Sequence, residues 1–376
     1  MRILVNAQQL IENKLEGWGW FTYETLKRIT KNNQCVEFIF IFDRKYPKEF
    51  VFNDNVLPII QYPQSKHPFL WEFKFQYLIP KLIKKYNPDL FLSTDGFIPT
   101  TEIKTKTLSV IHDLNFEHFP EIHSYFVRNY YKKYFPLFAS KATRIATVSE
   151  FSKEDIVNHY AINPEKIDVV YNGINENFLV INEQEKISIR QKYTKGQPYM
   201  IYVGSLNPRK NIINILKAYD LYRSNYSQKI KLVLSGSRKS WNSDMELVFK
   251  SMIYKEDIIF TDHVTTEQLT KLIGSALCLT YPSIFEGFGI PIIEAMNAGI
   301  PVITSNTASM PEVANNAAIL TDPYSIDSIV NAMMIISTDE NKRNELIIKG
   351  FDNAKKYSWD KTANLLWESV QKTLSD

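Results

Sequence analysis

The chain has 376 residues, 44% hydrophobic and 23% charged, with 44 basic and 41 acidic side chains for a net charge of +3. This length suits two domains, and the balance is that of an ordinary globular chain. It excludes a disordered, collagen-like or disulfide-stapled protein and offers no basic excess for nucleic acid. No apolar run nears the ~18 residues of a membrane-spanning helix, and Cys35 and Cys278 have neither disulfide nor metal-ligand spacing, which fits a reducing cytoplasm.

Along the chain, strands are expected over 3–6, 36–42, 89–92, 107–111, 144–148 and 167–171, with helices over 21–29 and 69–85, the second interrupted by Pro80. The run 36–42 is apolar nearly throughout, the mark of a strand buried on both faces. Residues 122–149 carry five bases, seven aromatics and no acid, and Pro136 is expected to split any helix there. Two readings of 125–144 stand side by side: a basic aromatic face for an anionic membrane surface, or a cleft-facing or core helix with solvated bases. Residues 172–197 are polar and read as an interdomain connection. A second series follows, with strands over 199–203, 231–234, 257–260, 278–280, 302–304 and 318–320 and a last helix from about residue 359. Strands alternating with helices argue for parallel, doubly wound α/β sheets, whose ligands lie at the carboxyl ends of strands.

The chemistry-bearing motifs sit at those ends. After the run 278–281 comes Glu286-Gly287-Phe288-Gly289, then Pro291 and Glu294. A glycine turn opening a helix presents free amides and a positive dipole end to an anion. Two carboxylates at different depths could face one ligand, or Glu286 could be solvated and Glu294 serve the helix start. After 199–203 comes Gly204, then Pro208-Arg209-Lys210-Asn211. Arg supplies a planar fork and Lys a point charge for phosphate oxygens; a solvated basic turn is the plainer reading. Glu16-Gly17-Trp18-Gly19-Trp20 follows the first strand as a loop, but Thr22 stands where a dinucleotide fingerprint needs a third glycine. His112 ends another strand, where a lone histidine serves either structure or substrate. No Asp-x-Asp occurs, and His67, His118, His123, His159 and His263 offer no ligand spacing with His112, so no metal site is expected.

In this order the motifs resemble glycosyltransferase family 4, retaining enzymes of the GT-B fold, over nearly the whole chain. The resemblance includes Ile111-His112-Asp113, Val148-Ser149-Glu150-Phe151-Ser152, Val203-Gly204, Arg209-Lys210 and the Glu-x7-Glu pair Glu286 and Glu294. It implies two Rossmann-like doubly wound α/β domains facing across a cleft. Residues 1–175 would form the acceptor side, 176–197 the connection and 198–357 the donor-binding domain, while 358–376 would return as a helix to the first domain. It further implies that Arg209 and Lys210 neutralise the donor diphosphate, that Glu294 holds the ribose, and that Glu286 faces the sugar hydroxyls. The amides of Phe288 and Gly289 would lie beside sugar and phosphate, Gly204 would belong to the donor-binding site, Gly19 would approach the diphosphate, Val264 would meet the nucleobase, and His112 the sugar. Trp20 departs from the pattern, since relatives often carry a basic residue there.

The runs 286–295, 305–306 and 309–313 are most similar to mannosyltransferases of bacterial surface polysaccharides. The implied reaction is transfer of mannose from GDP-mannose to a glycan or lipid-linked acceptor, with neither cofactor nor metal. The alternatives are a UDP-hexose or UDP-N-acetylhexosamine donor, or a non-catalytic sugar-nucleotide-binding subunit. The expected location is the cytoplasm, with peripheral attachment to the inner face of the plasma membrane through 125–144.

Overall fold

A computed structural model describes every residue except Asn13 and Glu16; Glu16 of the motif Glu16–Trp20 therefore lies outside the described residues. The chain divides into two units, Met1–Gly173 with Trp359–Asp376, and Ile174–Ser358.

The first unit is built on seven parallel strands: β1 (Arg2–Asn6), β2 (Glu37–Phe42), β3 (Val56–Ile60), β4 (Leu90–Ser93), β5 (Lys106–Val110), β6 (Arg144–Thr147) and β7 (Ile167–Val169). Their order is β3-β2-β1-β4-β5-β6-β7. Phe38 to Phe42 are buried on both faces of the sheet, as their unbroken apolar run requires. β3 is absent from the sequence reading because Pro58 interrupts it. A proline removes a ladder donor and is tolerated at a sheet edge, which is where β3 lies.

Two helices depart from expectation. Residues Tyr125–Lys141 form one helix despite Pro136. An interior proline costs about 3 kcal/mol, but Tyr130, Tyr134, Phe135 and Phe138 are buried along this helix. Each fully buried large side chain returns about 1.5–3 kcal/mol, so packing wins. The helical stretch around Pro80 stays continuous by a different route: Pro68–Phe73 passes into a π turn over Lys74–Leu78 and then Ile79–Tyr86. The wider turn ends just before Pro80 and accommodates the missing N–H.

The last helix, Trp359–Ser375, belongs to the first unit. Trp359, Leu366 and Val370 are buried, the Thr362 hydroxyl donates to the Tyr171 carbonyl at 2.7 Å, and Lys106 donates to the Leu374 carbonyl at 2.6 Å.

The second unit carries β8 (Tyr199–Val203), β9 (Lys231–Ser235), β10 (Ile258–Asp262), β11 (Cys278–Tyr281), β12 (Val302–Ser305) and β13 (Ile319–Thr321), all parallel. Their order is β10-β9-β8-β11-β12-β13. The segment read as a connection contains the helix Glu183–Thr194, capped by Asn182 and counted within this unit. Arg190 on it donates to the Ser275 carbonyl at 3.0 Å. Its polar sequence reflects a helix with Thr194 as its only buried residue, not a bare linker.

Candidate functional site

The strand order of the second sheet reverses between β8 and β11. At such a switch point the loops leaving the two adjacent strands diverge and open a crevice for ligand. The two strongest sequence motifs are these two loops. They are tied together by their own polar groups: the Asn211 carboxamide donates to the carbonyls of Pro282 at 2.9 Å and Pro323 at 2.7 Å, and the Ile284 N–H donates to the Arg209 carbonyl at 3.0 Å. Asn207 caps the short turn Pro208–Lys210, and Asn211 takes the left-handed conformation (φ 63°) that starts the next helix.

The loop after β11 is fixed from below. Ser309 donates to the Glu286 carbonyl at 2.9 Å and the Phe288 carbonyl at 3.0 Å, and Thr307 to the Ile284 carbonyl at 3.0 Å. Gly289, at φ +97°, precedes the helix Ile290–Asn297, with Pro291 in its first turn. Close backbone packing holds the β8 side as well. A Cβ on Gly236 (φ +152°) would fall 1.8 Å from the Gly204 carbonyl oxygen, so only glycine fits there.

Into this frame project three charges. The Arg209 guanidinium donates to the Phe285 carbonyl and to Glu286 Oε2 at 3.2 Å. The Lys210 ammonium donates to Glu286 Oε1 and to the Tyr281 hydroxyl at 3.0 Å, and that hydroxyl donates to the same carboxylate oxygen at 2.8 Å. Burial by itself would raise the Glu286 carboxyl; Lys210 and Arg209 beside it overcome that and hold it at about 2. The Glu286 carboxylate is thus ionised at neutral pH.

Glu294 lies one turn along the helix from Gly289 and is partly buried. Among the described residues its carboxyl makes no hydrogen bond or ion pair, and burial pushes it up to about 8. A carboxyl without a polar partner among the described residues, on the helix that follows the Glu286 loop, suits a hydroxyl-bearing ligand.

Gly204, Arg209, Lys210, Glu286, Phe288, Gly289 and Glu294 therefore all stand in the segments that leave β8 and β11. Val264 is half-buried in the loop after β10, next to Thr265, which caps the following helix with a capping box. Tyr281 was missed by sequence reasoning, although a tyrosine closing the strand ahead of a glutamate loop was a readable signal.

His112 and Gly19 belong to the first unit. His112 is buried, and burial lowers its pKa, so it is neutral. Its Nε2 lies 2.9 Å from the Thr94 carbonyl, which places the proton on Nε2; Trp18 stacks on the ring at 5.6 Å and Phe21 meets it edge-on at 4.9 Å. The Gly-x-Gly stretch is the first turn of the helix Gly17–Asn32, not a loop. A Cβ on Gly19 would meet the Gln9 carbonyl at 3.1 Å, so the chain itself fills the space a side chain would take.

The switch point of this sheet lies between β1 and β4. There Asp95 accepts from Asn6 at 2.8 Å, Gln8 at 2.6 Å, Gln9 at 3.0 Å and Ser93 at 2.9 Å. Lys74, in the π turn and fully buried, donates to Gln8 at 2.7 Å, and burial lowers it to about 8.

Comparison with known proteins agrees with this geometry. The family description "Glycosyltransferase Family 4" matches residues 17–178, and "Glycosyl transferases group 1" matches residues 183–352. The O-antigen chain mannosyltransferase B of Escherichia coli is 31% identical over 257 residues, 68% of this chain and 67% of that protein. The chain belongs to glycosyltransferase family 4. A second relative of this glycosyltransferase, the O-antigen chain mannosyltransferase RfbU of Salmonella typhimurium, is 28% identical over 61% of this chain and 60% of its own length. Among solved structures, Anabaena Alr3699/HepE in complex with UDP-glucose superposes with a TM-score of 0.75 at 16% identity, covering 99% of this chain and 100% of that one. That likeness gives the glycosyltransferase the GT-B fold.

Proposed function

We propose that this glycosyltransferase moves mannose from GDP-mannose to a glycan or lipid-linked acceptor in surface polysaccharide synthesis, retaining the anomeric configuration and using no divalent metal. The observation that carries the reading is the buried Arg209–Lys210–Glu286 cluster at the β8/β11 switch point, with Glu294 one turn beyond the adjoining loop. The mannosyltransferase names of the two relatives support the sugar.

In the proposed reaction the bond from the anomeric carbon to the diphosphate oxygen breaks, and the electron pair leaves with the phosphate. Arg209 and Lys210, preorganised in a low-dielectric site, meet the developing charge. The acceptor hydroxyl forms the new bond on the same face and passes its proton to the departing phosphate oxygen. Glu286 is a poor covalent nucleophile. Its oxygens are committed to Lys210, Tyr281 and Arg209, and its carboxyl is held at about 2. Glu294 would accept from the ribose diol. His112 would face the sugar, and the Asp95 network of the first unit would frame the acceptor side.

The test is a thermal-shift series with GDP, UDP, ADP, CMP and dTDP, followed by product analysis with labelled donor. GDP is expected to give the largest shift, and GDP-mannose the product with retained configuration. A response confined to UDP would move the donor to a UDP-hexose or UDP-N-acetylhexosamine, a second reading favoured by the UDP-glucose complex of the structural neighbour. Donor binding without turnover would mark a non-catalytic subunit.

We also propose attachment to an anionic membrane surface, centred on the start of the helix Tyr125–Lys141. Of the seven aromatics there, five pack inward, while Tyr125 is 64% and Phe126 54% exposed, and Phe126 adjoins Phe69, itself 66% exposed. Lys133 is paired with Glu72, while Arg128 and Lys132 are further bases on the same helix. Among the described residues no helix is long and apolar enough to cross a membrane.

A further inference from the structure

Three ligating side chains that the sequence keeps apart come together in the first unit. His118 ends the short helix Asn115–His118, and Asp155 and His159 sit four residues apart on the helix Glu150–Tyr160, hence one turn apart on one face. Asp155 Oδ1 is 2.9 Å from His118 Nε2 and 3.0 Å from His159 Nδ1, and Oδ2 is 3.0 Å from His118 Nε2. His159 Nδ1 also lies 3.3 Å from the Asp155 carbonyl. The three ligand atoms fall within 4.8 Å of one another. The Asp155 side chain is 8% exposed, against 31% for His118 and 38% for His159, so a buried carboxylate lies beneath two imidazoles that open to solvent. Among the described residues no lysine or arginine pairs with Asp155. A buried carboxylate ordinarily needs a cation or several strong donors.

We propose that His118, Asp155 and His159 bind a divalent transition metal of the zinc class, with water completing the coordination. Two imidazoles and one carboxylate select zinc or cobalt over magnesium or calcium, which take oxygen sets. Zinc–ligand distances of about 2.0–2.1 Å in a tetrahedron place neighbouring ligand atoms ~3.4 Å apart. The present spacing of 2.9–3.0 Å thus opens by a few tenths of an ångström on binding. Each ring nitrogen facing the metal gives up any proton it carries to solvent. The site would clamp the segment that follows His112 onto the helix Glu150–Tyr160. Its three residues belong to the first unit, whereas Arg209, Lys210 and Glu286 belong to the second.

The experiment uses the full chain in a Cys35→Ser background, because the Cys35 thiol is exposed. Chelator-stripped protein is dialysed against Zn²⁺, and against Co²⁺ as a spectroscopic probe. One equivalent of Zn²⁺ per chain, a rise in Tm and a visible Co²⁺ spectrum are expected. His159→Ala, at the most exposed position, and His118→Ala should each weaken Zn²⁺ binding at least tenfold. Absence of stoichiometric Zn²⁺ in the parent, or equal Zn²⁺ affinity in the parent and both variants, overturns the proposal. The second result would leave the cluster a hydrogen-bonded clamp.

Discussion

Glu286 is held by Arg209 at 3.2 Å through one carboxylate oxygen, while its other oxygen takes Lys210 and the Tyr281 hydroxyl. The glutamate proposed to face the donor sugar is therefore also the counter-ion of the two cations proposed to meet the diphosphate. Removing one partner of a buried ion pair costs about 3–5 kcal/mol, because the other charge is left unpaired. Glu286→Ala is expected to destabilise the ligand-free protein by that order, read as a fall in Tm. It should also enlarge the stabilisation by a nucleoside diphosphate, which fills the freed charges. Glu286→Gln, which keeps a hydrogen-bonding oxygen, should fall between. Equal nucleotide-induced shifts in Glu286→Ala and the parent would show that the cations are not freed by the loss of Glu286. Because the folded carboxyl sits at about 2 against an ordinary 4.5, this contribution is present above pH 4.5 and lost as pH falls toward 2.

Glu294 has the opposite sign. A carboxyl raised from 4.5 to about 8 keeps its proton in the folded chain while the unfolded chain loses it. Stability therefore falls as pH rises from 4.5 toward 8 and levels beyond. Glu294→Gln removes the penalty. It should match the parent near pH 4.5 and be more stable above pH 8, by about 1–3 kcal/mol once relaxation of a partly buried group is allowed for. Denaturant titrations at the two pH values check this; a constant difference would place the strain elsewhere. The same substitution should weaken nucleotide binding by about one to two decades if Glu294 holds the ribose.

Arg209→Ala and Lys210→Ala should each lower kcat by about 10²–10³-fold, the usual cost of losing one preorganised donor to a developing negative charge. Turnover in both variants is to be measured with excess EDTA present. Activity that survives EDTA in the parent agrees with charge stabilisation by side chains. Loss restored by Mg²⁺ or Mn²⁺ would contradict it.

Attachment to anionic vesicles should depend on the exposed aromatics more than on the middle of the helix. Phe69→Ser with Phe126→Ser should reduce sedimentation with anionic vesicles, and added salt should reduce it in the parent. Lys133→Glu alone should change little, because Lys133 already faces Glu72 at 3.4 Å. Unchanged sedimentation of the aromatic double variant would remove this face from the membrane reading.

The alternation of apolar runs and helical patterns was enough to place two parallel sheets, because a strand covered on both faces must be apolar throughout and is readable without tertiary information. The switch-point motifs were readable for a similar reason. Gly289 and Pro291 mark a strand-to-helix turn by their backbone preferences, and Arg209, Lys210, Glu286 and Glu294 are local to two such turns. Helix continuity through Pro136 and the edge strand with Pro58 were not readable, since burial and edge position decide whether a missing N–H is tolerated. Nor could sequence distinguish membrane-facing from core aromatics in 125–144, because Glu72 and the packing partners come from other elements. The pairing of Glu286 with Arg209 and Lys210, and the meeting of His118 with Asp155 and His159, join residues 76–77 and 37–41 positions apart. Local propensity acts over a turn or two of chain, so only the folding of one loop onto another decides which charges share a site.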